Sequence, residues 1–513
     1  MDAKEFREFG YAAVDFIADY MENVHDRQVL PSVEPGYLHN LLPSNVPERS
    51  EDWKDVMRDV NDKILPGLTH WQSNNFHAYY PSQTSYPSIV GDMIANGLGT
   101  VSFSWICSPA VTELEVIVVD WLAKFLDLPK FFLNSSEGPG GGLLQGTASE
   151  SMLVAILTAR DQAVEHLKLK HPNLSKSEIR GKLVMYSSDQ GNSCVEKTSR
   201  LAAVSIRLLP VDNNLTLRGE KLRIAVEDDV KNGKFPFACV ATLGTTGTCA
   251  FDNLLEIGPI CREHNIWLHI DAAYAGSALC CPEFRSLMPG IEYGDSFNFN
   301  LHKWMMVNFD CSAMWFRDTS KVVEAFTVDR IYLQHHFEIG SKAPEYRNWE
   351  IPLGHRFRAL KVWFTLRIMG AEKIRENIRN HVRLAGQFAE MIANDTRFEI
   401  IGKPVLGLVC FRLKGNCELT KRLVDSLTER KKIFVIRAQC HEKLVIRFVV
   451  NGLKPTEKDI EYAWNEIRAQ TNEILKKNHR KTVELSKSKC LADFCSTVHV
   501  SNNLPPNQLL SIE

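Results

Sequence analysis

Ser296-Phe-Asn-Phe-Asn-Leu-His-Lys303-Trp304 is the stretch whose reading decides the rest of the chain. Apolar and polar residues alternate as in a strand, with Phe297 and Phe299 on one side, and the run then turns a polar corner. A lysine that follows a buried strand and stands between His302 and Trp304 can lie in a desolvated pocket. There its amine loses charge easily and becomes a Schiff-base nucleophile. Read alone, Lys303 is an ordinary solvated lysine, because burying an unpaired ammonium is costly. The segment upstream, Trp267-Leu-His-Ile-Asp271-Ala-Ala-Tyr-Ala-Gly276, overturns that reading. Its apolar run ends in an acid and then in small residues, as in a strand with Asp271 at its carboxyl end, where parallel α/β sheets bind ligands. Pyridoxal phosphate chemistry needs a lysine for the Schiff base and an acid against the pyridinium nitrogen. Both are present, 303 − 271 = 32 residues apart.

At 513 residues the chain exceeds a single core, so two or three subdomains are expected. It is 44% hydrophobic and 24% charged with a net charge of −2, which gives no electrostatic reason to expect nucleic acid or an anionic membrane as partner. The N-terminal residues lack a basic region followed by an apolar run, so no secretory signal is expected. No apolar stretch reaches the ~18 residues of a membrane helix. The 13 cysteines are scattered, with Cys280 and Cys281 adjacent and no pair of CxxC motifs. That argues against a disulfide framework and against a metal site. The protein is expected to be cytosolic and reduced.

Residues 1–30 carry Phe6, Phe9, Ala13, Phe16, Ile17, Tyr20 and Val24 at helical spacing. A second helix is predicted from Glu51 to about Leu65, with Ser50 as N-cap and Pro66-Gly67 beyond its end. These helices either wrap a partner subunit or pack on their own chain. The aromatic stretch from Trp71 to Pro87, with Tyr79, Tyr80 and Ser82, and then Phe103-Ser-Trp105, either line a pocket for a flat substrate or belong to the core.

Gly138-Pro-Gly-Gly-Gly142-Leu-Leu-Gln-Gly146-Thr147-Ala148-Ser149 is more specific. Its glycines permit close backbone approach, and Thr147 and Ser149 fall at the start of a helix, where free N–H groups hold phosphate. The spacing is not that of a dinucleotide fingerprint. Strands predicted at Leu183–Tyr186, Phe237–Leu243, Trp267–Ile270 and Ser296–Phe299 alternate with helices, which implies a mostly parallel sheet covered on both faces. Asn192, Thr246, Asp271 and Lys303 all fall just past strand ends, the strongest internal argument for a shared site. Residues 319–350, with Tyr332 and a Gly-Ser-Lys-Ala-Pro run, read as a mobile lid. Strands at Gly407–Arg412 and Leu444–Val450 then alternate with helices.

The expected plan is therefore α/β: an N-terminal helical segment (1–85), a large domain (86–370), a small C-terminal α+β domain (371–478) and a disordered tail (479–513).

Several long motifs in order carry a resemblance. They are GLLQGTASE (142–150), SSDQGNSCVEK (187–197), VATLGTTGTCAFDN (240–253), WLHIDAAYAGSA (267–278), DSFNFNLHKW (295–304) and VNFDCSAMW (307–315). Over about residues 1–478 the chain resembles the aromatic L-amino acid decarboxylases, pyridoxal phosphate enzymes of fold type I. The resemblance implies a homodimer with both active sites at its interface. By matching position, Lys303 would form the Schiff base with pyridoxal 5'-phosphate and Asp271 would face the pyridinium nitrogen. Thr147, Ala148, Ser149, Asn300 and His302 would surround the phosphate. Thr246 would lie near the ring hydroxyl and the substrate carboxylate, and Ala273 would pack under the ring. Tyr80, Ser82, Phe103 and Gly354 would shape the aromatic pocket. Gly354 leaves room for a broad catechol ring, as in a site for L-DOPA rather than for an imidazole.

One position departs from the family pattern. Where the family has histidine in this motif, the chain has Asn192. Either this is a tolerated polar swap or it changes the product. An amine product requires protonation of Cα after CO2 leaves, and imidazole, with a pKa of ~6.5, can take part in that transfer. A carboxamide cannot, so the electron-rich carbanion can react with O2, and the resulting imine hydrolyses to an aldehyde with loss of ammonia and hydrogen peroxide. The same substitution marks an insect branch of the family that makes 3,4-dihydroxyphenylacetaldehyde from L-DOPA, and LLPVDNN (208–214) and VDRIYL (328–333) resemble that branch too. By the same resemblance the aldehyde would crosslink proteins of flexible cuticle. Related plant aldehyde synthases alter the lid tyrosine, whereas Tyr332 is kept here, so the switch rests on Asn192. The catalytic set expected is Lys303, Asp271, Asn192, His302 and Tyr332, with O2 as co-substrate. The rivals are a plain decarboxylase making dopamine and a silent pyridoxal-fold binding protein.

Overall fold

The computed structural model describes residues 1–337 and 343–500, with 480–500 given by backbone alone. Seven strands form the main sheet: β1 (Gly141–Gln145), β2 (Leu183–Ser188), β3 (Ser205–Leu209), β4 (Phe235–Thr242), β5 (Trp267–Asp271), β6 (Ser296–Asn300) and β7 (Ser312–Phe316). Their order is β1-β7-β6-β5-β4-β2-β3, with β7 antiparallel to both of its neighbours and the pairs among β2 to β6 parallel. The central strands β2, β5 and β6 are buried throughout, because helices cover both faces; β2 and β5 read as largely apolar runs, whereas β6 alternates phenylalanine with serine and asparagine. The helix Ala148–Lys170 packs on one face. The helices Gly219–Lys231 and Leu254–Glu263 pack on other parts of the sheet. Strands β2, β4, β5 and β6 end at Ser188, Thr242, Asp271 and Asn300 along one edge, and the loops leaving that edge carry the site.

Three strands of the main sheet are not legible in the sequence. The run β1 begins with two glycines and looked like a loop. Gly142 is there for packing rather than for phosphate: a Cβ would lie 2.5 Å from Trp315 Cδ1 and 2.7 Å from both Met314 O and Val119 Cγ1. Strand β3 is a half-exposed edge strand, and β7 is a short run between loops.

The small domain holds β8 (Phe398–Ile400), β9 (Leu408–Leu413), β10 (Ile436–Cys440) and β11 (Lys443–Val449) in the order β10-β11-β9-β8, all antiparallel. The helix Arg358–Ala393 links the large domain to the small one and is broken at Gly370, whose φ of 70° suits glycine. The segment around His77 clamps the small sheet: Val449 N–H donates to His77 O at 3.0 Å, and His77 N–H to Phe434 O at 2.8 Å.

At the N-terminus a capping box of Asp2 and Glu5 starts the helix Ala3–Asn23, none of whose residues is buried. The second helix is shorter than its sequence pattern suggests, Trp53–Asp59, and continues as a π turn, Val60–Ile64. Its N-cap is Asp52, not Ser50, because the Asp52 carboxylate accepts from Lys54 N–H at 2.9 Å. The segment expected to be a lid contains the helix Ser320–Phe326, and its residues 338–342 lie outside the described ones. The last helix is Glu457–Val500, so it continues past residue 478, and 501–513 lie outside the described residues. Among the described residues no helix is long and apolar enough to cross a membrane.

Candidate active site

The carboxyl edge of the sheet opens into a cavity of about 200 Å³. Lys303 reaches it from the short turn of helix Leu301–Trp304 that follows β6, and Asp271 from the end of β5. Thr147, Ala148 and Ser149 line it from the start of the helix after β1, and Asn192 and Thr246 from the loops after β2 and β4. Ala273, Asn300 and Tyr80 complete the expected residues on its wall.

Burial shapes the two ionisable groups at the centre. Desolvation lowers the Lys303 amine below its usual 10.5, with Asp271 pulling it back up. Desolvation likewise raises the Asp271 carboxyl above 3.8, offset by Lys303 and by the Ala273 N–H, which donates to Asp271 Oδ1 at 3.0 Å. Lys303 Nζ sits 5.4 Å from the centre of the Tyr80 ring. Tyr80 is itself 6% exposed, stacks on Tyr274 at 3.8 Å and donates to Thr245 O at 2.8 Å, so it is both pocket wall and core. Tyr274 stacks in turn on Trp304 at 4.6 Å.

Asn192 is held at both ends of its amide. As N-cap of the helix Ser193–Leu201 it accepts from Cys194 N–H at 3.0 Å through Oδ1, while Nδ2 donates to Thr246 Oγ1 at 2.8 Å.

Other expected residues lie elsewhere. His302 is buried behind the wall: its Nδ1 accepts from Cys311 N–H at 3.0 Å, its Nε2 is 3.3 Å from Asn300 Nδ2, and burial brings its pKa down to about 4. Ser82 is half-buried, and its carbonyl accepts from Gln72 Nε2. Tyr332 is 76% exposed and does not line the cavity. Phe103 and Gly354 lie at a second place, on neighbouring segments, where Ser102 N–H donates to His355 O at 3.1 Å and Arg347 N–H to Phe103 O at 3.0 Å. This place is anchored by a buried cluster in which His355 bridges Glu115 and Glu350, both contacts at 2.8 Å. Glu115 also accepts from Leu144 N–H in β1, and Tyr346 stacks on the imidazole at 5.0 Å.

Cys194, Thr242 and Gly244 also line the cavity and were missed. Thr242 ends β4, so the strand-end rule that found Asp271 could have found it.

Residues 35–414 match the model of the pyridoxal-dependent decarboxylase conserved domain. The chain belongs to the pyridoxal-dependent decarboxylases. Within that family it is 58% identical over 475 residues to a 3,4-dihydroxyphenylacetaldehyde synthase of Aedes aegypti, covering 93% of this chain and 91% of the relative. To an aromatic-L-amino-acid decarboxylase of Drosophila melanogaster it is 50% identical, covering 92% of each. Among solved structures, the Oryza sativa TDC with PLP and tryptamine superposes with a TM-score of 0.89 at 35% identity, covering 92% of this chain and 99% of that one.

The cavity fits the cofactor that the decarboxylase family takes its name from. It offers one desolvated amine, one buried carboxylate and the free N–H groups of a helix start. Two buried polar atoms on its wall, Thr242 Oγ1 and Asn300 Oδ1, have no partner from the described residues. A phosphorylated pyridine has the complementary groups.

Proposed function

We propose that this decarboxylase converts L-DOPA to 3,4-dihydroxyphenylacetaldehyde with consumption of O2. Bound in the cavity, pyridoxal phosphate supplies the electron sink for the bond between Cα and the carboxylate. Lys303, whose pKa burial lowers, would provide the amine that joins the cofactor's aldehyde. Asp271 would hold a proton at the pyridine nitrogen. The N–H groups at Ala148 and Ser149, with Thr147 and Asn300, would bind the phosphate, and Ala273 would support the ring. Tyr80 walls the substrate side.

The observation that carries the reading is the tethered Asn192 amide. It can orient a substrate, but it neither gives nor takes a proton near neutral pH. Other wall groups do not replace a histidine there: burial pushes the Cys194 thiol up to about 12 and raises Tyr80 well above 10.0. With protonation of Cα slow, two electrons pass to O2 and water replaces nitrogen. L-DOPA, O2 and H2O then give the aldehyde, CO2, NH3 and H2O2, which balances. The higher identity to the synthase than to the decarboxylase supports the same choice.

The working unit in this reading is a homodimer in the cytosol. Tyr332, Phe103 and Gly354 lie away from the cavity of their own chain, as residues serving a partner's cavity would. No residue of the helix Ala3–Asn23 is fully buried on its own chain, where Phe9 stacks on Trp53 and Tyr20 bonds His70, and it leaves Phe6, Tyr11 and Val14 exposed, as an element that wraps a partner would. The aldehyde suits crosslinking of cuticle protein.

The test is product analysis with L-DOPA in air. Peroxide and CO2 in equal amounts with little dopamine are expected, and Asn192→His should shift product toward dopamine by at least about tenfold. Dopamine without peroxide from the unaltered chain would make it a plain decarboxylase.

A further inference from the structure

One charged residue near the cavity has no role in the reading above. Arg447, in β11 of the small domain, is 1% exposed. Its Nε donates to Gly247 O at 3.1 Å and its Nη1 to Tyr79 O at 3.2 Å, while Nη2 is buried without a partner. Among the described residues it has no carboxylate partner. Carbonyls solvate a guanidinium without neutralising it, and a guanidinium stays charged in proteins. A buried, unneutralised cation is a liability for folding. It is joined by a second one, since Tyr79, whose carbonyl it holds, has a φ of 53°. Two costs at one point call for a return elsewhere.

That return lies across the Tyr80 ring. The guanidinium carbon is 5.0 Å from the ring centre, and Lys303 Nζ is 5.4 Å from the same centre. Gly247, which Arg447 holds, directly follows Thr246, the residue that fixes Asn192. We propose that Arg447 is a positioning residue for Lys303. It ties the Tyr79–Tyr80 and Thr246–Gly247 backbones to the small domain, and its charge disfavours a second positive charge on the Lys303 nitrogen. This rests on Lys303 being the Schiff-base lysine.

The groups facing Lys303 are Asp271 from β5, Cys194 from the helix after β2, His302 beside it, Tyr80 from the N-terminal segment and Arg447 from β11. His302, Cys194 and Tyr80 are neutral near pH 7, which leaves Asp271 and Arg447 as the charges that oppose each other at the amine. Burial and Arg447 both lower its pKa, and Asp271 raises it.

The experiment is a pH titration of the Schiff-base absorbance in the full-length, cofactor-loaded protein. It compares the unaltered chain with Arg447→Met, Arg447→Gln and Arg447→Lys. Both uncharged variants should move the midpoint up by about one pH unit. Arg447→Lys should stay near the original. Met fills the buried site without charge and Gln keeps a donor, so either one folding suffices. An unmoved midpoint in an uncharged variant, or an equal shift in Arg447→Lys, overturns the proposal. Borohydride reduction and peptide mapping identify the labelled lysine. A label away from Lys303 overturns the reading of the site instead.

Discussion

Two groups of buried charge stand near the main sheet, and they are finished differently. At Glu115–His355–Glu350 the imidazole is wholly buried and each of its nitrogens meets a carboxylate at 2.8 Å. The two carboxylates hold its pKa up at about 10 against the pull of burial. Around Lys303 the amine and Asp271 share a cavity without an ion pair among the described residues, and Arg447 is held by carbonyls alone. The first cluster spends its charges on holding β1, the Gly354 loop and Ser102 together. The second leaves its charges short of partners, as the proposed binding of a phosphorylated pyridine aldehyde would require. Completeness of pairing thus separates a fastening from a site.

If that contrast is right, removing a charge has opposite consequences in the two places. Lys303→Met should abolish turnover, the largest effect expected. Compared without cofactor, which would itself stabilise the unaltered chain, it should not lower the melting temperature. A clear drop would mean the amine is compensated after all. Glu115→Gln should instead destabilise by roughly 3–5 kcal/mol in urea unfolding, because it leaves a buried charge short of its partner. A change below about 1 kcal/mol would remove the distinction.

The smallest effect is a slope with pH. The folded pKa of His355 is raised, so its contribution is fully present below the unfolded ~6.5 and is lost as pH rises through about 10. Lys303 acts the other way: its folded pKa is lowered, so its cost is felt at lower pH and relieved as pH rises toward 10.5. Urea midpoints from pH 7 to 10.5 should therefore fall less steeply in His355→Leu than in the unaltered chain. Equal slopes would leave His355 out of the charge ledger.

The sequence made the sheet edge legible because its signals are local. Each of Asn192, Thr246, Asp271 and Lys303 falls at or just past the end of a short strand, and a strand end can be found within a handful of residues. Gly142 misled because a glycine that lets two strands approach Trp315 looks the same as one that cradles phosphate. The contact between Tyr80 and Arg447 was opaque for another reason. Their meeting joins the N-terminal segment to β11, and no local pattern reports a contact at that separation. An arginine inside the apolar run Leu444–Val450 was the one available clue, since an unpaired charge rarely enters such a strand.

The position of Arg447 late in the chain also bears on how the protein is made. Synthesis proceeds from the N-terminus, and domains fold as they emerge. The main sheet, with Lys303 and Asp271 in place, is complete in sequence by Phe316, well before β11 exists. Until the small domain arrives, nothing holds Tyr79 or Gly247 from that side. A nascent chain that has not yet made β11 would thus carry the lysine but not its final surroundings.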